Sequence, residues 1–591
     1  MEQIKIGIAV PPIKVGNLKY NADQIIKVLN NSKADVLLFP ELNLTSLYCG
    51  DLFRNADFLD SAFKEAQRII EETTFTGLFT IGMPLELDFY YVINALLIVQ
   101  NKKIIGVEMK ENLDSTEMRY FDVITDPEYY ISYLEKDIAT FQKIYDVSGV
   151  KIGILLNKKS RGLEIDCYSL SQEGANVLLI ATGEYEILNS GVYKVELVKE
   201  ISYQNRLACF YTSPSMHESS SRYVYAGDMI VAYKGELLNE TTNLYDNEDY
   251  VEVELDIKKL KYDDGIEKVL EFFDFEHPNP LTPYPYLQGK TPDEAASVVN
   301  TLLVQALIKK LSSLPQHLQK VILGVSGGAD STLALLIAEQ ALEEMGLPST
   351  NLIGVSMPSV NSLESSSKRA LELIEGVKAT KLVIPIDDYL NVHLKAIGHD
   401  HLDVTYENAQ ARIRTNILMD LANKYGGIVL GPSDLSEIAL GFTTYNGDAS
   451  SMYGLNQGVP KTLVLQTLEY LSKEVYIDLS KVIYEVSQAK PSPELLKNQV
   501  TEDVLGRYDI NDFILWFTIQ FECPKAEIKD YLQEVFDITA AEAQIYLDRF
   551  FKRFYQNQFK RNVLPEGPNI LGISLNPVTG FRLAGDNEVE Y

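Results

Sequence analysis

The sequence predicts an α/β protein of two domains, a β-rich N-terminal domain followed by a doubly wound parallel sheet. Three observations carry this expectation. Up to about residue 256 short strands alternate with helical stretches, an acidic and then proline-rich segment interrupts the pattern, and from Pro292 long helices alternate with buried apolar strands. With 591 residues, 46% of them hydrophobic, the chain can fill two or more ordinary cores.

The N-terminal strands read as IKIGIAV, DVLLFPEL, LFTIGM, ALLIVQ, KKIIGV, KIGILL, ANVLLIA, ACFYTSP, DMIVAYKGELL and YVEVELD, and NADQIIKVLNNS and FLDSAFKEAQRIIEE between them carry helical spacing. This places one domain at residues 1–258. The stretch KLKYDDGIEKVLEFFDFEHPNPLTPYPYLQGKTPDE then reads as a linker, 259–291. In residues 292–591 the helices AASVVNTLLVQALIKKLSSL and STLALLIAEQALEEM surround the strands KVILGV, NLIGVSM, TKLVIPI and GGIVLG, the pattern of a parallel sheet covered on both faces.

Charge narrows the partners. Against 83 Asp and Glu stand 53 Lys and Arg, a net charge of -30 that repels phosphate backbones and anionic lipid. Small-molecule substrates are therefore expected, without nucleic acid or membrane. The four cysteines, Cys49, Cys167, Cys209 and Cys523, form no CxxC pair and indicate neither a disulfide framework nor a zinc site. With no apolar leader and no run of about eighteen apolar residues, a soluble protein of the reducing cytoplasm is expected.

The segment KVILGVSGGADSTLALLIAEQAL holds the most chemistry. A buried strand ends at Val325, Ser326 to Ser331 form a glycine-rich turn, and a helix is expected to start near Ser331 or Thr332. Gly327 and Gly328 let backbone approach an anion, and the helix N-terminus supplies unpaired amides. No GK[ST] ending follows, which disfavours a Walker-type nucleoside triphosphatase. Asp330 also suits a plain helix N-terminal charge.

SGGADS in this setting resembles the pyrophosphate loop of the N-type ATP pyrophosphatases. TYENAQARIRTNILMDLANKYGGIVLGPSDLSEIALGFTTYNGD, GLNQGVPKTLV, PSPELL, QVTEDVLGRYD and NQFKRNVLPEGP resemble, in order, the synthetase domain of NAD synthetase, over about Ala296 to Arg582. The N-terminal half, through FPELNLTSLYCGDLF and KIIGVEMK, is similar to the nitrilase-like glutaminase domain of the glutamine-dependent NAD synthetases, an α-β-β-α sandwich.

The resemblance implies ATP-dependent conversion of deamido-NAD to NAD through an acyl adenylate that ammonia attacks, with Mg²⁺ and cationic side chains at the phosphates. It implies that Ser326, Gly327, Gly328, Asp330 and Ser331 hold ATP. Asn408, Arg412, Glu437, Phe442, Thr443, Thr444, Tyr445, Asp448, Lys461 and Lys560 are implied around deamido-NAD, and Asp330 and Glu437 at the metal. It also implies a homo-oligomer of at least two copies. Pro432 departs from the family's threonine and offers neither hydroxyl nor N–H, and GDASS departs where relatives often carry histidine or methionine.

In the glutaminase half the family's general base matches Glu41 and its lysine Lys110. Counting back without a gap from EGANVLLIA, the family's nucleophilic cysteine falls on Asn157, whose neighbours Leu156 and Lys158 are no better nucleophiles. Cys167 lies in the next expected helix, too far along to replace it. The stretch after Lys110, ENLDSTEMRYF, is also short for a glutamine pocket. Glu41 and Lys110 then read as a buried ion pair kept by the fold. The expected enzyme is an ammonia-using NAD synthetase with an inactive glutaminase domain. The alternatives are a nucleotide-binding pseudoenzyme or regulatory paralogue, and an amide ligase for a different carboxylate.

Overall fold

The computed structural model describes residues 3–87, 90–124, 139–140, 143–157, 160–261, 281–489 and 504–590. Lys158, Lys159, most of the expected linker, PSPELL and the start of QVTEDVLGRYD lie outside the described residues. The chain divides into two compact units, Met1–Glu186, Ser190–Ser219 and Tyr225–Phe275 in the first and Ile187–Asn189, Ser220–Val224 and Glu276–Tyr591 in the second.

The first unit is an α-β-β-α sandwich. Its strands are β1 (Gln3–Ala9), β2 (Val36–Leu38), β3 (Leu78–Glu86), β4 (Val92–Gln100), β5 (Lys103–Met109), β6 (Ala139–Thr140), β7 (Ile144–Val147), β8 (Val150–Leu156), β9 (Val177–Ala181), β10 (Ala208–Thr212), β11 (Asp228–Tyr233), β12 (Glu236–Thr242) and β13 (Tyr250–Asp256). One sheet runs β13-β1-β2-β3-β4-β5-β6, the other β12-β11-β10-β9-β8-β7. Alternation sorts the side chains. Ile4, Ile6 and Ile8 of β1 meet Ile152 and Ile154 of β8, Leu179 of β9 and Phe210 of β10 between the sheets. The opposite faces bury Leu37, Phe79 and Leu97 under helices Leu18–Asn31 and Ala56–Glu72. On the other sheet they bury Leu178 and Cys209 under helices Ser160–Gln172 and Ser190–Gln204.

One expected strand proves to be two. DMIVAYKGELL folds back as β11 and β12, because Lys234 (φ 48) and Gly235 (φ 86) both adopt left-handed backbone, the geometry of a two-residue hairpin turn.

The second unit holds one fully parallel sheet, in the order β16-β15-β14-β17-β18, built from β14 (Val321–Gly324), β15 (Leu352–Ser356), β16 (Thr380–Val383), β17 (Ile428–Gly431) and β18 (Tyr453–Gly454). Both faces are covered. Ile322, Ile353, Val355 and Val429 pack on Leu421 and Ala422 of helix Val404–Tyr425. Gly354, pointing the other way, lies against Ile374 of helix Glu364–Gly376, where a Cβ would come within 2.8 Å of its side chain. Helix Pro292–Ser312 begins in a capping box made by Thr291 and Glu294. The strand order reverses between β14 and β17, and the crevice beyond the C-terminal ends of such strands is where open α/β sheets bind ligands. Among the described residues no helix is long and apolar enough to cross a membrane.

Ile154 is fully buried between the two sheets of the first unit. Ile154→Ala should destabilise that unit by about 2–5 kcal/mol, read as a lower denaturant midpoint.

Candidate active site

In the first unit three strand ends deliver the residues singled out in the sequence. Glu41 follows β2, Lys110 follows β5 and Asn157 follows β8. Glu41 and Lys110 are fully buried. Lys110 Nζ donates to Glu41 Oε1 at 2.6 Å and Oε2 at 2.7 Å, and to Glu117 Oε1 at 2.9 Å. Asn94 Nδ2 donates to Glu41 Oε1 at 2.7 Å. Burial alone would depress the Lys110 pKa, but Glu41 and Glu117 carry it above its ordinary value. Burial likewise raises Glu41, against the opposing pull of Lys110. Both Glu41 oxygens are thus committed to Lys110, and Lys110 to two carboxylates.

Asn157 is buried, its backbone N–H donating to Ala181 O at 3.1 Å and its amide nitrogen 3.5 Å from Asp166 Oδ2. Cys167 is buried on helix Ser160–Gln172 among Leu163, Leu170 and Leu178, and burial pushes its thiol far above the ordinary range. It packs as a small apolar residue rather than standing as a thiolate nucleophile. Asn94 and Glu117 were not singled out in the sequence. Nothing marks Asn94 in its apolar strand, and Glu117 reads as one of many surface acids.

The second site forms at the strand-order reversal. The loop after β14 carries Ser326 to Gly328 and leads into the helix that bears Asp330, and the loop after β17 carries Pro432 to Asp434. The helix begins at Ala329, two to three residues earlier than expected, so Asp330 sits in its first turn. Ser326 Oγ accepts from the Gly328 N–H at 3.2 Å and lies 3.1 Å from Ser331 Oγ, which folds the loop on itself. Gly327 has φ 83, and a Cβ there would lie 2.2 Å from the Ser366 carbonyl oxygen. Its glycine is therefore required by packing as well as by any approach to an anion. Arg369 Nε donates to Gly327 O at 3.3 Å from the neighbouring helix.

Lys461, 2% exposed, is the centre of the site. Its ammonium lies 2.6 Å from Asp330 Oδ2, 2.8 Å from Asp434 Oδ2 and 3.1 Å from Glu437 Oε1. These acids hold its pKa well above the ordinary value even though burial opposes them. Burial raises Asp434 strongly and Glu437 to about 7, with Lys461 pulling both back. Ligand oxygens of Asp330, Asp434 and Glu437 lie within 4.8 Å of one another, a set able to hold a metal ion. Asp330 Oδ1 is buried without a hydrogen-bond partner, a vacant acceptor that fits a cation.

Asp434 and Asn456 were missed, although both stand in quoted motifs. Asp434 accepts from the Glu437 N–H at 2.8 Å and so reads in sequence as a helix cap alone. Asn456 Nδ2 donates to Asp330 O at 3.0 Å and Pro432 O at 2.9 Å, tying the two loops together.

The remaining expected residues gather around the loop 441–448. Asn408 Oδ1 accepts from Thr444 Oγ1 at 2.8 Å, Arg412 Nε donates to Tyr445 O at 3.2 Å, and Asp448 Oδ1 accepts from the Thr444 N–H at 2.6 Å. Lys560 Nζ donates to Gly441 O at 2.7 Å and Thr443 O at 2.8 Å. Phe442 lies under the Arg553 guanidinium, and the half-exposed rings of Tyr445 and Phe559 sit 5.8 Å apart.

Residues 300–563 match the NAD synthase family. The chain is 34% identical over 317 residues to the glutamine-dependent NAD(+) synthetase of Mycobacterium leprae, a match spanning 47% of each chain, so about half the length of that relative is covered. It is 27% identical over 594 residues to the glutamine-dependent NAD(+) synthetase of Aquifex aeolicus, with 96% of both chains covered. The fold is similar to the crystal structure of a glutamine-dependent NAD(+) synthetase from Cytophaga hutchinsonii, with TM-score 0.78 and 18% identity over 99% of this chain and 98% of that one. It is also similar to that of the Acinetobacter baumannii protein in complex with adenosine diphosphate, with TM-score 0.67 and 22% identity over 100% and 98%.

Residues 300–563 thus carry the NAD synthase match, and over nearly its whole length the chain is similar to glutamine-dependent NAD synthetases. The fold similarity spans both units.

Lys110→Met should leave Glu41 buried without a counter-charge and destabilise the first unit by about 3–5 kcal/mol, whereas Glu41→Leu combined with Lys110→Met should recover most of that loss. Chemical denaturation of the three proteins measures it.

Proposed function

We propose that the protein is an ATP-dependent amide ligase that converts deamido-NAD to NAD, drawing ammonia from solution because Asn157 stands at the nucleophile position of its glutaminase half. The observation that carries the reading is the buried cluster of Asp330, Asp434, Glu437 and Lys461 beside the SGGADS loop, at the reversal of the parallel sheet.

Adenylation joins a nicotinate carboxylate oxygen to the α-phosphorus of ATP and expels pyrophosphate. Ammonia then attacks the acyl carbon and AMP leaves. Both substrates are anionic, so the work is positioning and charge compensation. The amides and hydroxyls of Ser326, Gly327, Gly328 and Ser331 would cradle the phosphates, and Lys461 would place its ammonium beside them. Asp330 and Glu437, with Asp434 between them, would hold Mg²⁺, which when bound offsets the charge of the phosphates. The loop tied by Asn408, Arg412, Asp448 and Lys560 would receive deamido-NAD, with Tyr445 and Phe559 offering an aromatic surface to its rings. The same reading places the protein in a reducing cytoplasm, in keeping with its four free cysteines, as an assembly of at least two copies.

The regulatory-paralogue reading draws on Pro432, which cannot donate a hydrogen bond to ATP. Its carbonyl nevertheless accepts from Asn456, so the loop stays closed over the cluster, and this favours an enzyme. An amide ligase for a different carboxylate would use the same site and would be exposed by a carboxylate screen.

NAD formation from deamido-NAD, ATP and ammonium tests the proposal. At fixed total ammonium below saturation, the initial rate should rise roughly tenfold per pH unit across the neutral range, because only free ammonia has the lone pair for attack. No turnover with ammonium would refute the reading.

Asn157→Cys should yield no glutaminase, because Glu41 and Lys110 are already committed to each other and Lys110 also to Glu117. Glutamate release from glutamine measures it, and release above the unmodified protein's background would contradict the inactive-domain assignment.

A further inference from the structure

Helix Lys461–Glu474 begins after Pro460 with no side-chain cap of its own, leaving its first N–H groups to find partners elsewhere. The Lys461 N–H donates to Ser436 Oγ at 2.8 Å. The Thr462 N–H donates to Asp512 Oδ2 at 3.1 Å, and the Thr462 hydroxyl donates to the same oxygen at 2.7 Å. The Ser436 hydroxyl donates to Asp512 Oδ1. With its own proton committed to Asp512, Thr462 Oγ1 accepts from the Tyr286 hydroxyl.

Asp512 lies on helix Tyr508–Gln520 and is 3% exposed. Among the described residues no Lys or Arg is a hydrogen-bond partner of Asp512: it is held by three donors on Ser436 and Thr462. These are the chain neighbours of Glu437 and Lys461, two members of the charged cluster. A carboxylate buried at the N-terminus of one helix and bonded into another fixes both backbones.

We infer that Asp512 is a positioning residue of the synthetase site, a cap supplied from another helix that sets where the Lys461 ammonium stands relative to Glu437 and Asp330. The inference rests on the proposed reaction. It goes further in assigning a residue that touches neither substrate nor metal a share in the rate.

The test compares the unmodified full chain with Asp512→Asn, Ser436→Ala and the double variant in three measurements: thermal unfolding, the affinity for ATP with magnesium, and kcat and KM for NAD formation from ammonium. Asp512→Asn keeps the shape but puts an amide where one of the hydroxyl or N–H donors needs an acceptor. It should lower kcat/KM for ATP about tenfold or more while leaving KM for ammonium unchanged. Ser436→Ala should act in the same direction, and the double variant should be little worse than the more damaging single one, because both break one chain of contacts. Thr462→Val, which removes only a hydroxyl, carries the same comparison should Asp512→Asn fail to fold.

A lowered unfolding temperature with ATP affinity, kcat and KM all unchanged would show a purely structural role and overturn the inference. Multiplying effects in the double variant would overturn it as well. An unmodified protein that forms no NAD would instead refute the proposed reaction, and the ATP affinities of the variants would then decide on Asp512 alone.

Discussion

A buried ammonium cannot be left without counter-charge, and the second unit is arranged around that constraint at Lys461. Three carboxylates from one loop and two first helix turns converge on a side chain that is 2% exposed. Together they outnumber it, so the cluster as a whole still attracts a cation. The parallel sheet makes the convergence possible. Loops leaving β14 and β17 open on opposite sides of the strand-order reversal and meet above it, and Asn456 bonds to both backbones. The chemistry proposed for the site requires the same excess of acid, because metal and phosphates must enter a place already fixed in shape.

The first unit applies the same charge logic to a different end. Glu41 and Lys110 neutralise each other at full burial, and Glu117 adds a second acid to the lysine. After β8 stands an amide, Asn157, rather than a thiol, and the nearest cysteine in sequence, Cys167, belongs to the apolar packing under its helix. The two sites thus hold similar ion pairs, and in the second the buried carboxylate oxygen Asp330 Oδ1 has no hydrogen-bond partner among the described residues.

Much of this architecture was legible in the sequence because it rests on periodicity. Alternation in IKIGIAV and KIGILL places their isoleucines between two sheets, and the unbroken apolar runs KVILGV and GGIVLG mark strands covered on both faces. The hairpin inside DMIVAYKGELL was hidden because its turn is only Lys234 and Gly235. The start of the helix after SGG was set too late because Ala329 and Asp330 look like loop residues until the backbone shows them in the first turn. Motif residues such as Asp330, Glu437 and Lys461 were legible through the family's pattern. Their mutual distances were not, because Asp330 and Lys461 are 131 positions apart and only the sheet brings them together. Asp434, Asn456 and Asp512 were invisible for a related reason. Asn456 and Asp512 act through backbone and hydroxyl contacts that no spacing rule encodes, and the cap spacing of Asp434 hides its ion pair with Lys461.

The central claim is that this chain builds the amide of NAD with nitrogen that never passes through its first unit. Giving the full-length protein ATP, deamido-NAD, unlabelled ammonium and glutamine labelled with ¹⁵N at its amide, together in one reaction, tests that claim directly. Mass spectrometry of the product should find NAD carrying only the ammonium nitrogen. Product carrying the glutamine label, with the free ammonium pool still unlabelled, would contradict it and show a working glutaminase behind Asn157.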